Sequence, residues 1–442
     1  IPPTQPTEVI AWEPYSGNSK NYTYYHREER DHAWEEDVIF FADSYLEEYH
    51  LLTHFPSRVE YGIEVEYSDE FYDPELRQSF IDQINTLIPQ IPELTDTAIL
   101  YELQRIVAQL KDAHTSVKME WNDIYPIGFQ EFWENGQYVF YVTLAPDEYE
   151  HTLMSTLSGI NGIPLDEVIE RLRPYISTEN EYNLMNAISG GSFWGLLSNR
   201  DLLELTGVTE GSSAVYNLIN DRGKAINILV KSCHTESVQS MDYVGLTHTG
   251  TYPEIYGEDF PNYFYRWEEN GKMMYVRVNE FVSDYSYTFY ELGNDVIREL
   301  RDAGGAEKLV VDLRRNPGGY IFEGYVEFIS ALSRMEYDSL YVLIDEGTFS
   351  GSILMAGQIK AQFPEAVLVG TPAGQPPNFF AKNNDTDYIL PNSGVVCRMP
   401  TAFLVVMENY EHDALMPDIL VYPTIEDYVR GYDTILEAVK AQ

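Results

Sequence analysis

The chain has 442 residues, 44% of them hydrophobic, which is enough for a substantial core and too much for one compact domain of ordinary size. Its 71 acidic residues against 28 lysines and arginines give a net charge of −43. That charge is spread along the chain as a solvated surface; it argues against nucleic-acid binding, and no run reaches the ~18–20 apolar residues of a membrane-spanning helix.

Residues 1–30 are rich in proline, tyrosine and polar residues and predict an extended lead-in. The chain opens at Ile1 without a basic and apolar leader, which fits a signal peptide already removed or none at all. Residues 31–118 predict a helical domain, with spaced apolar positions at Ile39, Phe40, Tyr45 and Leu46. Within it, Ile99, Leu100, Leu103, Ile106, Val107 and Leu110 mark a helix over 97–110. The next residues are Lys111-Asp112-Ala113-His114-Thr115-Ser116-Val117, where β-branched residues begin. His114 is therefore expected between a helix end and a strand.

Residues 119–240 alternate short strands and helices. A strand is expected over 138–142, and Asn161-Gly162 predicts a tight turn leading into a helix. Residues 241–442 predict an α/β unit. Near-continuous apolar strands at 274–278, 308–313, 340–344 and 366–369 alternate with helices at 285–302, 320–334 and 351–362. Such a pattern implies a sheet buried on both faces.

Two strand ends carry chemistry. The strand at 308–313 runs into Arg314-Arg315-Asn316-Pro317-Gly318-Gly319. Adjacent glycines let main-chain N–H groups turn into a cleft, as an oxyanion hole requires. The strand at 340–344 runs into Thr348-Phe349-Ser350-Gly351-Ser352. A serine there stands at a helix N-terminus, with the Gly351 N–H beside it, in the manner of a nucleophile elbow without the GxSxG pattern. Taken alone, the first segment reads more readily as a plain strand-to-helix turn and Ser350 as an ordinary N-cap.

Two cysteines, Cys233 and Cys397, allow one disulfide that their spacing does not demand. CxxC and HExxH patterns are absent, and the nine histidines lack metal-ligand spacing, so no metal or cofactor is expected. The 35 tyrosines suit a surface that contacts peptides or glycans.

Taken in order over 308–424, these segments resemble the S41 peptidases, which include tail-specific, C-terminal-processing and tricorn-type enzymes. The resemblance rests on Asp312-Leu313-Arg314-Arg315-Asn316-Pro317-Gly318-Gly319, on Thr348-Phe349-Ser350-Gly351-Ser352, and on Leu368-Val369-Gly370-Thr371-Pro372-Ala373-Gly374. It extends to Leu390-Pro391-Asn392-Ser393-Gly394 and Met416-Pro417-Asp418-Ile419-Leu420-Val421. It implies Ser350 as nucleophile, with Gly318 and Gly351 as oxyanion donors. The family's Ser/Lys branch places a lysine where this chain has Gln375, and Lys360 and Lys382 lie elsewhere. The His branch takes its base from a segment matched by Leu110-Lys111-Asp112-Ala113-His114-Thr115, which implies His114. That branch draws its orienting acid from before the Pro-Asp motif; Glu411 fits best by distance to Pro417, with Asp413 and Glu408 as competitors.

The resemblance implies an α/β, α+β multi-domain chain: a ClpP/crotonase-like catalytic core over 241–442, a PDZ-like insert over 119–240, and a helical N-terminal domain carrying His114. It implies a secreted or cell-envelope endopeptidase acting on peptide or protein substrates without a cofactor. A ligand-binding protein on the same fold, or a hydrolase of other acyl substrates, are the alternatives. Oligomeric state is left open.

Overall fold

The computed structural model describes residues 27–53, 71–119, 121–191, 193–246, 261–282, 287–319, 324–381, 387–400 and 402–442, together with short strands at 10–11, 23–24, 58–60 and 63–65. The expected lead-in falls almost wholly outside these residues, and the first helix already begins at Arg27.

Three helices build the N-terminal core: α1 (Arg27–Glu48), α2 (Pro74–Leu87) and α3 (Asp96–Ala108). Two of their starts follow from local chemistry. Asp73 accepts from the Glu75 and Leu76 N–H groups ahead of Pro74, and Thr95 accepts from the Ala98 N–H. Trp34, Phe41, Tyr45, Phe80, Leu103 and Ile106 meet in one cluster. Val395, Cys397 and Met399 join it from far along the chain. Asp37 on α1 fastens that distant segment by accepting from the N–H groups of Asn392 and Ser393.

The middle of the chain forms a seven-stranded antiparallel sheet. Its strands include β1 (Gly128–Glu134), β2 (Gln137–Pro146), β3 (Thr156–Ile160), β4 (Ser213–Ile219), β5 (Ala225–Lys231) and β6 (Tyr243–Gly245). Their order is β5-β4-β3-β2-β6, with β1 added on β2. Asn161 and Gly162 have φ of 52° and 78°, so the expected turn is present and pairs Ile160 with Ile163. Two helices, α4 (Leu165–Leu172) and α5 (Glu181–Ser189), pack on this unit.

The C-terminal part holds a six-stranded sheet: β7 (Tyr263–Glu268), β8 (Met273–Val278), β9 (Ala306–Asp312), β10 (Tyr337–Ile344), β11 (Val367–Gly370) and β12 (Ile419–Leu420). They lie in chain order, parallel from β8 onward, with β7 antiparallel at the edge. Helices α6 (Phe289–Ala303), α7 (Tyr325–Leu332) and α8 (Gly351–Gln362) connect them. Successive residues of a strand face opposite sides. Accordingly Met274, Leu309, Val311 and Val342 enter the core under α6 to α8. Val310, Tyr341 and Leu343 enter a second core closed by Ile435, Leu436 and Val439 of α9 (Thr434–Lys440). This two-sided burial explains the near-continuous apolar strands.

The expected helix at 285–302 starts later, at Phe289, because Thr288 and Glu291 form a capping box there. The one expected at 320–334 is shorter, Tyr325–Leu332, and residues 320–323 lie outside the described set. Both cysteines are free, and Cys397 is buried. Among the described residues no helix is long and apolar enough to cross a membrane.

Candidate active site

The site forms where the helical unit, the antiparallel unit and the C-terminal ends of the parallel strands meet. Ser350 follows β10 and precedes α8 with φ 55° and ψ −116°. A non-glycine residue so placed is strained, and the surroundings must hold it there. They do so through two braided loops. Thr348 Oγ1 donates to the Leu313 carbonyl, and Asp345 Oδ1 accepts from the Arg315 and Gly347 N–H groups. The Asn316 carbonyl accepts from Ser352 Oγ at 2.7 Å and from the Phe349 N–H at 3.0 Å. The loop after β9 thus props up the loop after β10.

His114 reaches Ser350 from 236 residues upstream, with Nε2 2.9 Å from Oγ. Asp112 fixes its turn. One carboxylate oxygen accepts the His114 main-chain N–H at 2.9 Å; the other accepts Thr115 Oγ1 at 2.7 Å and the Tyr49 hydroxyl at 2.9 Å. The following strand, Ser116–Val117, pairs with Val396–Arg398 and anchors the segment. The imidazole lies between two near-parallel rings, Phe349 at 4.8 Å and Phe379 at 5.6 Å. Burial, helped by the charge of Arg398, pushes the His114 pKa down to about 4, so the ring is neutral at pH 7.

Gln375 stands where the resemblance would place the lysine of the Ser/Lys branch. It is buried, its Oε1 accepts from the Ser350 N–H at 3.0 Å, and its Nε2 stands 3.3 Å from His114 Nδ1. The same Nε2 donates to Glu179 Oε1 at 2.6 Å. Lys360 is tied to the Ala366 carbonyl and Asp418, and Lys382 lies outside the described residues.

Two expectations need correction. The structure does not bring Glu411 to His114: Glu411, Glu408 and Asp413 all lie exposed on a surface loop. The acids beside the imidazole are Asp112, with Oδ1 3.9 Å from Nδ1, and Glu179. Burial raises both carboxyls above their ordinary range, and the charge of Asp112 adds to the rise at Glu179. The second concerns Gly318. Its N–H donates to Asn316 Oδ1 at 2.8 Å and is not free for an oxyanion. Gly318 is nevertheless required by space, since a Cβ there would sit 2.6 Å from both Ser350 Cβ and the Gly351 nitrogen. The Gly351 N–H opens α8 and has no acceptor within the helix.

Asp112, His114 and Glu179 have donor atoms within 4.8 Å of one another and form the one group among the described residues that could hold a metal. The Asp112 carboxylate already accepts from Tyr49, Thr115 and the His114 N–H, and the group forms a hydrogen-bond network. Sequence reasoning missed Glu179, Phe379 and the bridging role of Gln375. Nothing local marks them, because each lies far in the chain from the residues it touches.

Over 263 residues the chain is 23% identical to a carboxyl-terminal-processing protease from a Picosynechococcus species. The match takes in 51% of this chain and 57% of that protein, so it spans little more than half the length of the relative. No family model matches the chain. In fold it is similar to mature CPAF, with a TM-score of 0.60, 14% identity, and 93% and 96% of the two chains covered. A Ser-to-Ala variant of CPAF superposes with a TM-score of 0.61 at 12% identity over 93% of this chain and 96% of that one. By sequence, then, the chain is similar over part of its length to a carboxyl-terminal-processing protease, and in fold to mature CPAF.

Proposed function

We propose that this chain is a serine peptidase that cleaves peptide bonds through an acyl-enzyme, with Ser350 as nucleophile and His114 as base. The observation that carries the reading is the 2.9 Å contact between His114 Nε2 and Oγ of a strained serine at a helix start. Serine is a weak nucleophile until a neighbour takes its proton. A neutral imidazole does so and returns the proton to the leaving amine. The Gly351 N–H at the start of α8 holds the oxyanion. The strand order supports reading the parallel-sheet unit as a ClpP/crotonase-like core. The Asn161-Gly162 hairpin supports reading the antiparallel unit as a PDZ-like guide for the substrate chain.

A fluorophosphonate probe tests the proposal. Wild type is expected to label, and Ser350→Ala and His114→Ala to lose labelling while unfolding at the wild-type temperature. Cleavage of a peptide library, followed by mass spectrometry, then separates peptide from other acyl substrates. A wild type that neither labels nor cleaves refutes the enzyme reading. That result would leave a ligand-binding protein, a reading favoured by the amide donor that Gln375 presents to His114 Nδ1.

A further inference from the structure

For His114 Nε2 to take the Ser350 proton, its lone pair must face Oγ. The neutral ring must then carry its proton on Nδ1, and that proton needs an acceptor. Three groups surround Nδ1. Gln375 presents an NH2 group, because its Oε1 is committed to the Ser350 N–H. This contact favours the opposite tautomer, with Nε2 protonated and Ser350 Oγ accepting. Asp112 Oδ1 is 3.9 Å away and already accepts the main-chain N–H of the same histidine. Glu179 differs from both. One of its oxygens is held by Gln375, while the other, Oε2, is buried and has no hydrogen-bond partner. A buried acceptor without a donor costs about 1–3 kcal/mol unless a donor arrives. The His114 ring has a nitrogen within 4.8 Å of a Glu179 carboxylate oxygen, and in the Nδ1–H tautomer it would supply such a donor.

The placing of Glu179 is also fixed across the unit boundary. Its neighbour Asn180 caps α5 and donates through Nδ2 to the carbonyls of Asp413 at 2.8 Å and Ala373 at 3.2 Å. The start of α5 is thus fastened to the same turn that carries Gln375.

We propose that Glu179, steered by Gln375, is the acid that positions His114, so that the antiparallel unit supplies a residue to the site on the parallel sheet. The inference rests on the peptidase reading. Glu179 is a positioning residue: it acts through the imidazole and touches no reacting atom. A small shift of the Gln375 carboxamide lets Nδ1–H donate to Glu179 Oε2. The Ser350 Oγ proton then passes to Nε2 as Oγ bonds to the carbonyl carbon and the carbonyl π pair moves to oxygen. Where the pH is high enough to ionise the raised Glu179 carboxyl, it stabilises the imidazolium and takes no proton. The Nε2 proton goes to the leaving nitrogen as the C–N bond breaks. The groups facing Glu179 are Asp112 and His114 on one side and Gln375 on the other; Arg398 acts on His114 from the neighbouring strand.

The test uses the full chain with Glu179→Gln, Glu179→Asp and Glu411→Gln. Fluorophosphonate labelling rates are measured from pH 5 to 10, with thermal unfolding as the control for folding. Glu179→Gln is expected to slow labelling by about 10²–10⁴-fold, the range for a mis-set imidazole tautomer. It should also remove an ionisation from the pH profile. Glu179→Asp should restore part of the rate, and Glu411→Gln should match wild type. Nitrogen-15 NMR of labelled histidine gives a second readout that needs no turnover. Wild type should shift toward the Nδ1–H tautomer at alkaline pH, and Glu179→Gln should stay Nε2–H. A Glu179→Gln protein with the wild-type rate and pH profile, or with the wild-type tautomer shift, overturns the inference. If wild type does not label at any pH, the peptidase reading fails, and the tautomer measurement still decides the role of Glu179.

Discussion

Gly318 illustrates how narrow the tolerances are around the nucleophile. Its φ of 95° is open to glycine at no steric cost, and a Cβ would press on Ser350 Cβ, the Gly351 nitrogen and the Phe349 carbonyl. Gly318→Ala is therefore expected to displace Ser350 and slow its labelling at least about 100-fold, as a 1 Å misplacement does elsewhere. Rates at saturating probe will check this. The Asp-x-His-Thr segment shows the same logic in the base. The resemblance pairs His114 with Ser350, and the structure brings the two within 2.9 Å; Asp112 is known from the sequence only as part of the same segment. The segment does not reveal that Asp112 spends both oxygens on shaping the turn. Chain distance to Pro417 points to Glu411, which the structure leaves exposed on a surface loop, while Asp112 and Glu179 are the acids beside the imidazole. Residue type survives in a sequence; which side chains share a cavity does not.

At the level of elements, the strands were legible because burial on both faces imposes a hydrophobic run. Leu343 sits on β10 in the layer covered by α9. Leu343→Ala is expected to cost about 2–5 kcal/mol, with urea denaturation as the measurement. The Asn161-Gly162 turn was legible for a different reason, since both residues must accept positive φ. Nothing lies within 4 Å of a Cβ built on Gly162. Gly162→Val therefore isolates backbone strain, and about 1–2 kcal/mol should be lost in the same assay. Helix ends were read less well. The start of α6 is set by reciprocal hydrogen bonds between Thr288 and Glu291, which outweigh the apolar spacing upstream.

For the whole molecule, charge governs behaviour. The formal charge of −43 makes the fold repel itself, so added salt is expected to raise the unfolding temperature by screening. Buried carboxyls add a pH dependence. Burial pushes Glu131 up to about 7 and Glu346 up to about 8, with the charge of Asp345 adding at Glu346. An acid with a raised folded pKa favours the native state below its unfolded value. That contribution is lost as pH rises through the folded value. Stability should accordingly fall between about pH 5 and 9, with Glu346→Gln flattening the upper part of the fall in thermal scans. His114 works in the opposite window, since its depressed pKa removes stability only as pH drops from its ordinary range through about 4. By itself the sequence determined the alternation of strands and helices and the strand-end loops at Gly318 and Ser350, because periodicity and residue chemistry are local properties; the pairing of Ser350 with His114 was implied by the family resemblance. The tertiary structure alone decided that Asp112 and Glu179 are the acids beside the imidazole, that Gln375 bridges Ser350, His114 and Glu179, and that the Gly318 amide is turned to Asn316, because these depend on close packing between segments whose distance in space no local pattern encodes.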